Sequence, residues 1–215
     1  MRTRIKVCCI ASVDEARTAI SLGADAIGLV ASMPSGPGPI PDSLIATIAR
    51  SVPPPIATFL LTCRTDPRGV ASHVGMAGVN TVQLVDEVDP GVFPLLRESL
   101  PHVRIVQVIH VQNESDIDRG GRCAQLVDAL LLDSGRPAAA IKELGGTGRT
   151  HDWSISRRIV ESVRVPVFLA GGLNASNVRG AVEAVRPYGV DVCSGVRTNG
   201  KLDGAKLDAF VRALA

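Results

Sequence analysis

Two cysteines and a lysine stand together near the start of the chain, in the stretch RIKVCCI over residues 4–10. This stretch predicts a buried β-strand, along which successive side chains point to opposite faces. Lys6 and Cys8 therefore share one face, and a neighbouring ammonium favours the reactive thiolate form of cysteine. Cys9 belongs to the opposite face, where free cysteine packs as a small hydrophobic residue under the helices. The pattern makes Cys8 a candidate for chemistry and Cys9 a core residue.

A carboxyl group, Asp133, ends the apolar run ALLLDS of residues 129–134. If these strands belong to a β/α barrel, Asp133 would lie at the same end of the barrel as Cys8, the end formed by the carboxyl ends of the strands. Active sites of β/α barrels lie at that end. On position alone, the residue fits catalysis and an N-cap or solvated loop carboxylate equally well. Asp133 is therefore a second candidate, with both alternatives open.

Three glycine-bearing segments follow successive late strands, at residues 145–148, 170–178 and 193–196. Successive glycines let backbone amides approach an anion closely, and helix N-termini add a favourable dipole. A single glycine in such a turn is more often a tight-turn residue. All three segments at consecutive positions predict a phosphate site, as barrels commonly build one from the loops after strands 7 and 8.

Short β-branched runs alternate with amphipathic segments along the whole sequence. This alternation predicts a single-domain α/β fold, a (β/α)8 TIM barrel over residues 1–215. A doubly wound open sheet is the alternative, but no GxGxxG motif follows the first strand to support it. The predicted strands are 4–10, 26–31, 55–62, 81–86, 104–111, 129–134, 165–172 and 189–196, and the helical patterns are 13–23, 41–52, 152–163, 174–185 and 203–214.

Composition narrows the class of protein. Of the 215 residues, 46% are hydrophobic and 20% charged, and 23 Lys plus Arg against 21 Asp plus Glu leave a formal charge of +2. No basic block indicates nucleic acid as a partner, and no run reaches the roughly 18–20 apolar residues of a membrane span. The N-terminus lacks the apolar region of a signal peptide. The five cysteines lack metal-ligand spacing, which favours a reducing cytoplasm and no bound metal.

Motifs along almost the full chain are similar, in order, to those of the phosphoribosylanthranilate isomerase family. KVCCI resembles the family's K-I-C-G-I, GADAIGLV its G-A-D-x-x-G-F-V, and TVQLVD its V-Q-L-H-G. ALLLDS resembles L-L-L-D, GGTGRTHDW resembles G-G-T-G-x-x-F-D-W, and FLAGGLNASNV resembles L-A-G-G-L-x-x-x-N-V. GVDVCSGV resembles V-D-V-S-S-G-V-E, and the KLD that follows resembles K-D.

The resemblance implies a (β/α)8 barrel and an Amadori rearrangement in tryptophan biosynthesis. Carried over to matching positions, it makes Cys8 the general base and Asp133 the general acid. It also implies that the substrate is a small phosphorylated sugar and that the reaction needs no cofactor or metal. The implied phosphate-binding residues are Lys6, Gly146, Thr147, Gly148, Gly171, Gly172, Ser194 and Gly195.

The chain departs from the family pattern at four places near the ligand. Gly38 stands where the family has an arginine that pairs with the anthranilate carboxylate, and Cys9 stands where it has glycine. Val85 and Asp86 replace its His-Gly, and Arg197 replaces its glutamate.

The departures leave the carboxylate-binding residue and the substrate open. Arg197 or Arg149 is predicted to supply the missing cation, unless each is a solvated loop charge. Alternatively, the protein is an isomerase-like paralogue for a phosphosugar without that carboxylate, or an inert binder of phosphate ligands. The inert binder is disfavoured because it has no need for both an acid and a base. A monomer and a homodimer fit the sequence equally.

Overall fold

Eight parallel strands close into a barrel in the described part of the chain. The computed structural model describes residues 2–135, 139, 144, 148 and 150–214. Each strand pairs with the next, and the first pairs with the eighth, with Arg4 opposite Gly189 and Val7 opposite Val192. The predicted (β/α)8 barrel is confirmed, and the open-sheet alternative is wrong because this pairing leaves no edge. The strands are β1 Arg4–Val7, β2 Ala26–Val30, β3 Ala57–Thr62, β4 Thr81–Leu84, β5 Arg104–His110, β6 Ala129–Asp133, β7 Val167–Leu169 and β8 Gly189–Val192.

The helices surround this barrel. A short hairpin of β9 Arg197–Thr198 and β10 Lys201–Leu202 lies between β8 and the last helix. The helical patterns named from the sequence do not include ranges for α3, α4 or α5. In α5, two glycines and few apolar residues make the helical period weak. No helix among the described residues is long and apolar enough to cross a membrane. The helices are α1 Val13–Ser21, α2 Asp42–Ser51, α3 Pro67–Ala77, α4 Val92–Ser99, α5 Ser115–Cys123, α6 Trp153–Ser162, α7 Val178–Val185 and α8 Gly204–Arg212.

Strand alternation divides the buried side chains into two layers. The outward set packs against the helices and includes Ile5, Val7, Ile27, Leu29 and Leu60. The inward set fills the barrel, with an aromatic pair of Phe59 and Phe168 whose rings meet edge to face at 6.1 Å. Because inward residues at the carboxyl ends of all strands converge, polar side chains there form one site.

Candidate active site

A pocket opens at the carboxyl ends of the strands, with about 650 Å³ of free space that includes part of its opening to solvent. It brings together two groups that lie far apart in the sequence, Cys8 and Asp133. It also gathers four of the residues predicted to bind phosphate, and it adds two side chains that the sequence reasoning missed, Asp191 and Cys193. The four are Gly148, Gly171, Gly172 and Ser194.

Cys8 follows the last residue of β1 and is 5% exposed. Its backbone N–H donates to the carbonyl of Val192 at 2.8 Å, which ties it to the end of β8. On the adjacent strand, a Cβ at Gly28 would lie 2.9 Å from the Cys8 Sγ and 3.1 Å from the Lys6 Nζ. Because Gly28 has no side chain, the Cys8 thiol and the Lys6 ammonium can both lie next to this position.

Lys6 lies beneath the pocket and is completely buried. Its Nζ is 2.9 Å from the Oδ1 of Asp191 and 5.1 Å from the centre of the Phe59 ring. Burial opposes its charge, but the charges of Asp191 and Cys8 outweigh burial and raise the pKa of Lys6. The ammonium does not line the pocket and already has a carboxylate partner, so the contact with a phosphate expected from the sequence stays a prediction.

Asp133 ends β6 and is 8% exposed. Burial raises the pKa of Asp133, and the neighbouring Asp191 adds to the rise. The Ser134 N–H, which donates to its Oδ1 at 2.7 Å, and the nearby His110 and Lys6 act in the opposite direction. The net increase favours a protonated carboxyl group, as required of a general acid.

His110 is a buried neighbour of Asp133 that the sequence reasoning missed. It lies opposite Asp133 on the adjacent strand, so both side chains face the barrel interior. Its Nε2 donates to the carbonyl of Val85 at 2.9 Å, and its Nδ1 has no hydrogen-bond partner among the described residues. Val85, whose carbonyl accepts this bond, stands where the family pattern has histidine.

The prediction that Cys9 packs under the helices is wrong. Its backbone takes the left-handed conformation, with φ 63°, and this breaks the alternation of β1. The side chain instead lines the pocket and donates its S–H to the Pro37 carbonyl at 3.5 Å. Hydrogen bonds with Cys193 and Cys8, together with burial, raise the pKa of Cys9 well above its ordinary value. Cys9 is therefore a thiol in the pocket wall.

Arg197, a predicted carboxylate-binding residue, is outside the pocket lining. Its guanidinium forms an ion pair with Glu15 at 3.2 Å and donates to the backbone carbonyls of Cys8 and Cys9. These contacts direct it to the backbone at the end of β1. The other candidate, Arg149, lies outside the described residues.

The glycines of the loops predicted to bind phosphate have backbone conformations that let an anion approach the backbone closely. Gly148, Gly171 and Gly172 have φ of 69°, 87° and 65°, which L side chains rarely adopt. Gly195 does not line the pocket: a Cβ there would lie 2.0 Å from the Leu173 carbonyl oxygen, so it lets the loops after β7 and β8 touch. Ser194 begins a short 3₁₀ helix at the pocket. Gly146 and Thr147, also predicted for the phosphate, lie outside the described residues.

Among the described residues, no three His, Cys, Asp or Glu side chains are grouped as metal ligands. Of the groups missed from sequence, Asp191 carried a usable signal. It is a carboxylate in the middle of a short apolar strand, and such a residue is buried only with a partner. His110 and Cys193 carried no such signal, because single polar residues at strand ends are common.

Comparison with known proteins agrees with this geometry. A family profile for N-(5′-phosphoribosyl)anthranilate (PRA) isomerase matches residues 5–213. N-(5′-phosphoribosyl)anthranilate isomerase 2 of Methanosarcina mazei is 40% identical over 210 residues, which cover 97% of this chain and 92% of that protein.

Solved structures give the same result. One is a phosphoribosyl anthranilate isomerase in complex with reduced 1-(o-carboxyphenylamino)-1-deoxyribulose 5-phosphate, with TM-score 0.79, 28% identity, and coverage of 99% of this chain and 98% of that one. Another shows generated monomers of the dimeric enzyme of Thermotoga maritima, with TM-score 0.80, 27% identity and the same coverage. The chain belongs to the N-(5′-phosphoribosyl)anthranilate isomerase family.

Proposed function

We propose that this protein converts N-(5-phosphoribosyl)anthranilate to 1-(2-carboxyphenylamino)-1-deoxyribulose 5-phosphate in tryptophan biosynthesis. The observation that carries the proposal is the contrast between two groups in one pocket. Asp133 is a buried carboxyl group with a raised pKa. Cys8 shares its space with the Lys6 ammonium. One group is suited to give a proton and the other to take one.

The reaction follows from these two roles. Asp133 protonates the ring oxygen of the ribose while the anthranilate nitrogen donates its lone pair to C1′, which opens the ring to a protonated imine. Cys8, as the thiolate, then removes the proton from C2′, and the electrons move to the nitrogen. The resulting enol tautomerises to the ketone, so no atom is lost or gained. The substrate nitrogen supplies the electron sink, and we expect no cofactor.

The phosphate of the substrate belongs, in this proposal, at the glycine loops. Positive φ angles at Gly148, Gly171 and Gly172 support the approach of an anion to the backbone. Ser194, together with Gly146 and Thr147, which lie outside the described residues, completes the proposed set. Gly195 contributes by allowing two of these loops to meet.

Arg149 remains the proposed partner of the anthranilate carboxylate. Arg197 is already committed to Glu15 and to two backbone carbonyls. Among the described residues that line the pocket, there is no lysine or arginine. If Arg149 does pair with the carboxylate, Arg149→Ala raises KM for the substrate and leaves kcat nearly unchanged.

A second candidate function is the isomerisation of a related phosphosugar without that carboxylate. The observation in its favour is the contact between the loop and Cys9, since a Cβ at Gly38 would lie 2.6 Å from the Cys9 Cβ. The pocket residues beside this contact, Gly36 and Pro37, carry no charge that would bind a carboxylate. An inert phosphate binder is the third alternative, and it would tolerate loss of either proton-transfer group.

The test follows the loss of substrate fluorescence with freshly generated phosphoribosylanthranilate. Wild type is compared with Cys8→Ser and Asp133→Asn, each expected to lose roughly 100-fold or more in kcat. Cys123→Ser and Asp118→Asn are matched controls on α5, outside the pocket lining. Absence of wild-type turnover, together with stabilisation by phosphate ligands, would favour the second candidate. Full activity in both active-site variants would remove the assigned roles.

Partners and location follow as proposals. We expect a small phosphorylated substrate and no nucleic acid partner, in the cytoplasm. Monomer and homodimer remain alternatives for this chain, and light scattering after size-exclusion chromatography distinguishes them by mass.

A further inference from the structure

Three of the departures from the family pattern meet at one place. Cys9, Gly38 and Arg197 lie far apart in the sequence, yet Gly38 packs against the side chain of Cys9 and Arg197 donates to its carbonyl. A Cβ at Gly38 would approach the Cys9 Cβ to 2.6 Å. These three positions therefore form one cluster of contacts at the end of β1.

Arg197 holds this end of the strand through its backbone. One guanidinium nitrogen, Nη2, donates to the carbonyls of Cys8, at 3.3 Å, and Cys9. The other, Nη1, donates to the carbonyl of Gly200 at 2.8 Å, so the same fork reaches the β9–β10 hairpin. Its side chain is 8% exposed, which makes these contacts largely free of competition from water.

Glu15 fixes the direction of the guanidinium. Its carboxylate pairs with Arg197 and also accepts the backbone N–H groups of Ala11, at 3.0 Å, and Leu202, at 2.9 Å. Burial disfavours its charged form, but these hydrogen bonds and Arg197 lower the pKa of Glu15, so it remains a carboxylate at neutral pH. The pair thus joins the loop after β1, the first turn of α1 and the hairpin.

The backbone of Cys9 needs such support. A φ of 63° is routine for glycine, the family's residue at this position, but it is unfavourable for a residue with a Cβ. Such a conformation persists only where surrounding contacts impose it. The bond from Arg197 to the Cys9 carbonyl is one of those contacts, and it acts one residue from the sulfur of Cys8.

We propose that Arg197 is a positioning residue: held by Glu15, it fixes the Cys8–Cys9 backbone so that the Cys8 sulfur points at the substrate C2′ proton. The inference rests on the proposed function, in which Cys8 is the base. It also explains why an arginine stands at this position without lining the pocket. A small displacement of a catalytic group lowers the rate strongly while substrate binding by other groups persists.

The experiment measures kcat and KM for phosphoribosylanthranilate in Arg197→Met and Arg197→Lys. Lysine keeps the charge and one set of donors but loses the planar fork. The matched control is Arg212→Met, at an exposed arginine of α8 that pairs with Asp208. We expect Arg197→Met to lose about 100-fold in kcat, with KM within about threefold of wild type. Arg197→Lys should recover about tenfold of that loss, and Arg212→Met should behave as wild type.

Circular dichroism of each variant gives the folded fraction by which kcat is normalised. Normalised kcat within twofold of wild type in both Arg197 variants overturns the proposal. An increase in KM equal to the loss of kcat/KM also overturns it, because Arg197 would then act in binding. If Arg197→Lys loses as much activity as Arg197→Met, and both losses are accounted for by the unfolded fraction, Arg197 has a purely structural role and the proposal is overturned. Inactive wild type removes the proposed function itself, and the positioning role with it.

Discussion

The ammonium of Lys6 lies 2.9 Å from the carboxylate of Asp191 in the interior of the barrel. The two side chains are 0% and 8% exposed. Burial makes an isolated charge very unfavourable, so each of these groups requires the other. The pair also places a fixed cation directly beneath the pocket that contains Cys8.

Replacement of this cation should affect both stability and rate. Lys6→Met leaves Asp191 buried without its partner and is expected to lower the free energy of unfolding by about 3–5 kcal/mol. It also removes the positive charge beside Cys8, so kcat should fall. Urea denaturation and the fluorescence assay measure the two effects.

The double variant Lys6→Met/Asp191→Leu serves as the control for that experiment. It removes both charges, so it should recover much of the stability but none of the kcat. Equal stability of the single and double variants would contradict the assignment of a mutually dependent pair.

The carboxyl group of Asp133 should make stability depend on pH. Burial raises the pKa of Asp133 above its ordinary value of 3.8. Its contribution is therefore fully present below pH 3.8 and is lost as the pH rises through the raised value in the folded protein. Asp133→Asn has no such group to titrate, so the stability of the variant relative to wild type should increase as the pH rises above 3.8.

Urea denaturation at several pH values measures that difference. Asp118→Asn, at an exposed position of α5, is the reference for removal of a carboxylate. A difference between Asp133→Asn and wild type that shrinks with increasing pH would show that burial does not control this group.

Gly38 follows the uncharged pocket residues Gly36 and Pro37, and its substitution gives a prediction about specificity. Gly38→Arg introduces a side chain where φ is 81° and a Cβ meets Cys9, so the single variant should be destabilised. Cys9→Gly removes the atom that clashes, and the double variant should regain much of the lost stability. It should also bind a carboxylated product analogue more tightly than the same analogue without the carboxylate.

Thermal unfolding and isothermal titration with the two analogues measure these effects. Cys9→Gly alone is the matched control for the loss of the thiol. Additive effects of the two substitutions on stability would argue against direct contact, since neighbours in contact show coupling.

His151 should make the protein sensitive to acid. Burial lowers the pKa of His151 from 6.5 to about 4. Its contribution to stability is present above pH 6.5 and is lost as the pH falls toward 4, where the loss reaches about 3 kcal/mol. His151→Phe, which carries the family's residue, should lose less stability over this interval than wild type.

In the variant, Ser156 loses its 2.7 Å hydrogen bond to His151 at every pH, so the absolute stabilities of the two proteins differ. The quantity to compare is therefore the slope of the free energy of unfolding against pH. His102→Gln, at an exposed position, is the control. Identical slopes for wild type and His151→Phe would exclude His151 as the source of the acid sensitivity.

The alternation of strands and helices and the location of the two central groups could be predicted from the sequence. Strand periodicity and β/α alternation are local patterns, and they predict a barrel without knowledge of any contact. Because parallel strands bring their carboxyl ends to one side of the barrel, Cys8, which follows β1, and Asp133, which ends β6, had to meet there. Their positions made Cys8 and Asp133 candidates before the fold was known, and the family resemblance supplied the roles of base and acid.

Only the tertiary structure decided what surrounds these groups. The alternation rule failed at Cys9, because its φ depends on contacts with Gly38 and Arg197 that lie far away in the chain. Lys6 and Arg197 were expected to contact the ligand. In the structure they form ion pairs with Asp191 and Glu15, respectively. A charged residue shows in the sequence that it needs a partner, and only packing between distant segments determines which partner it receives.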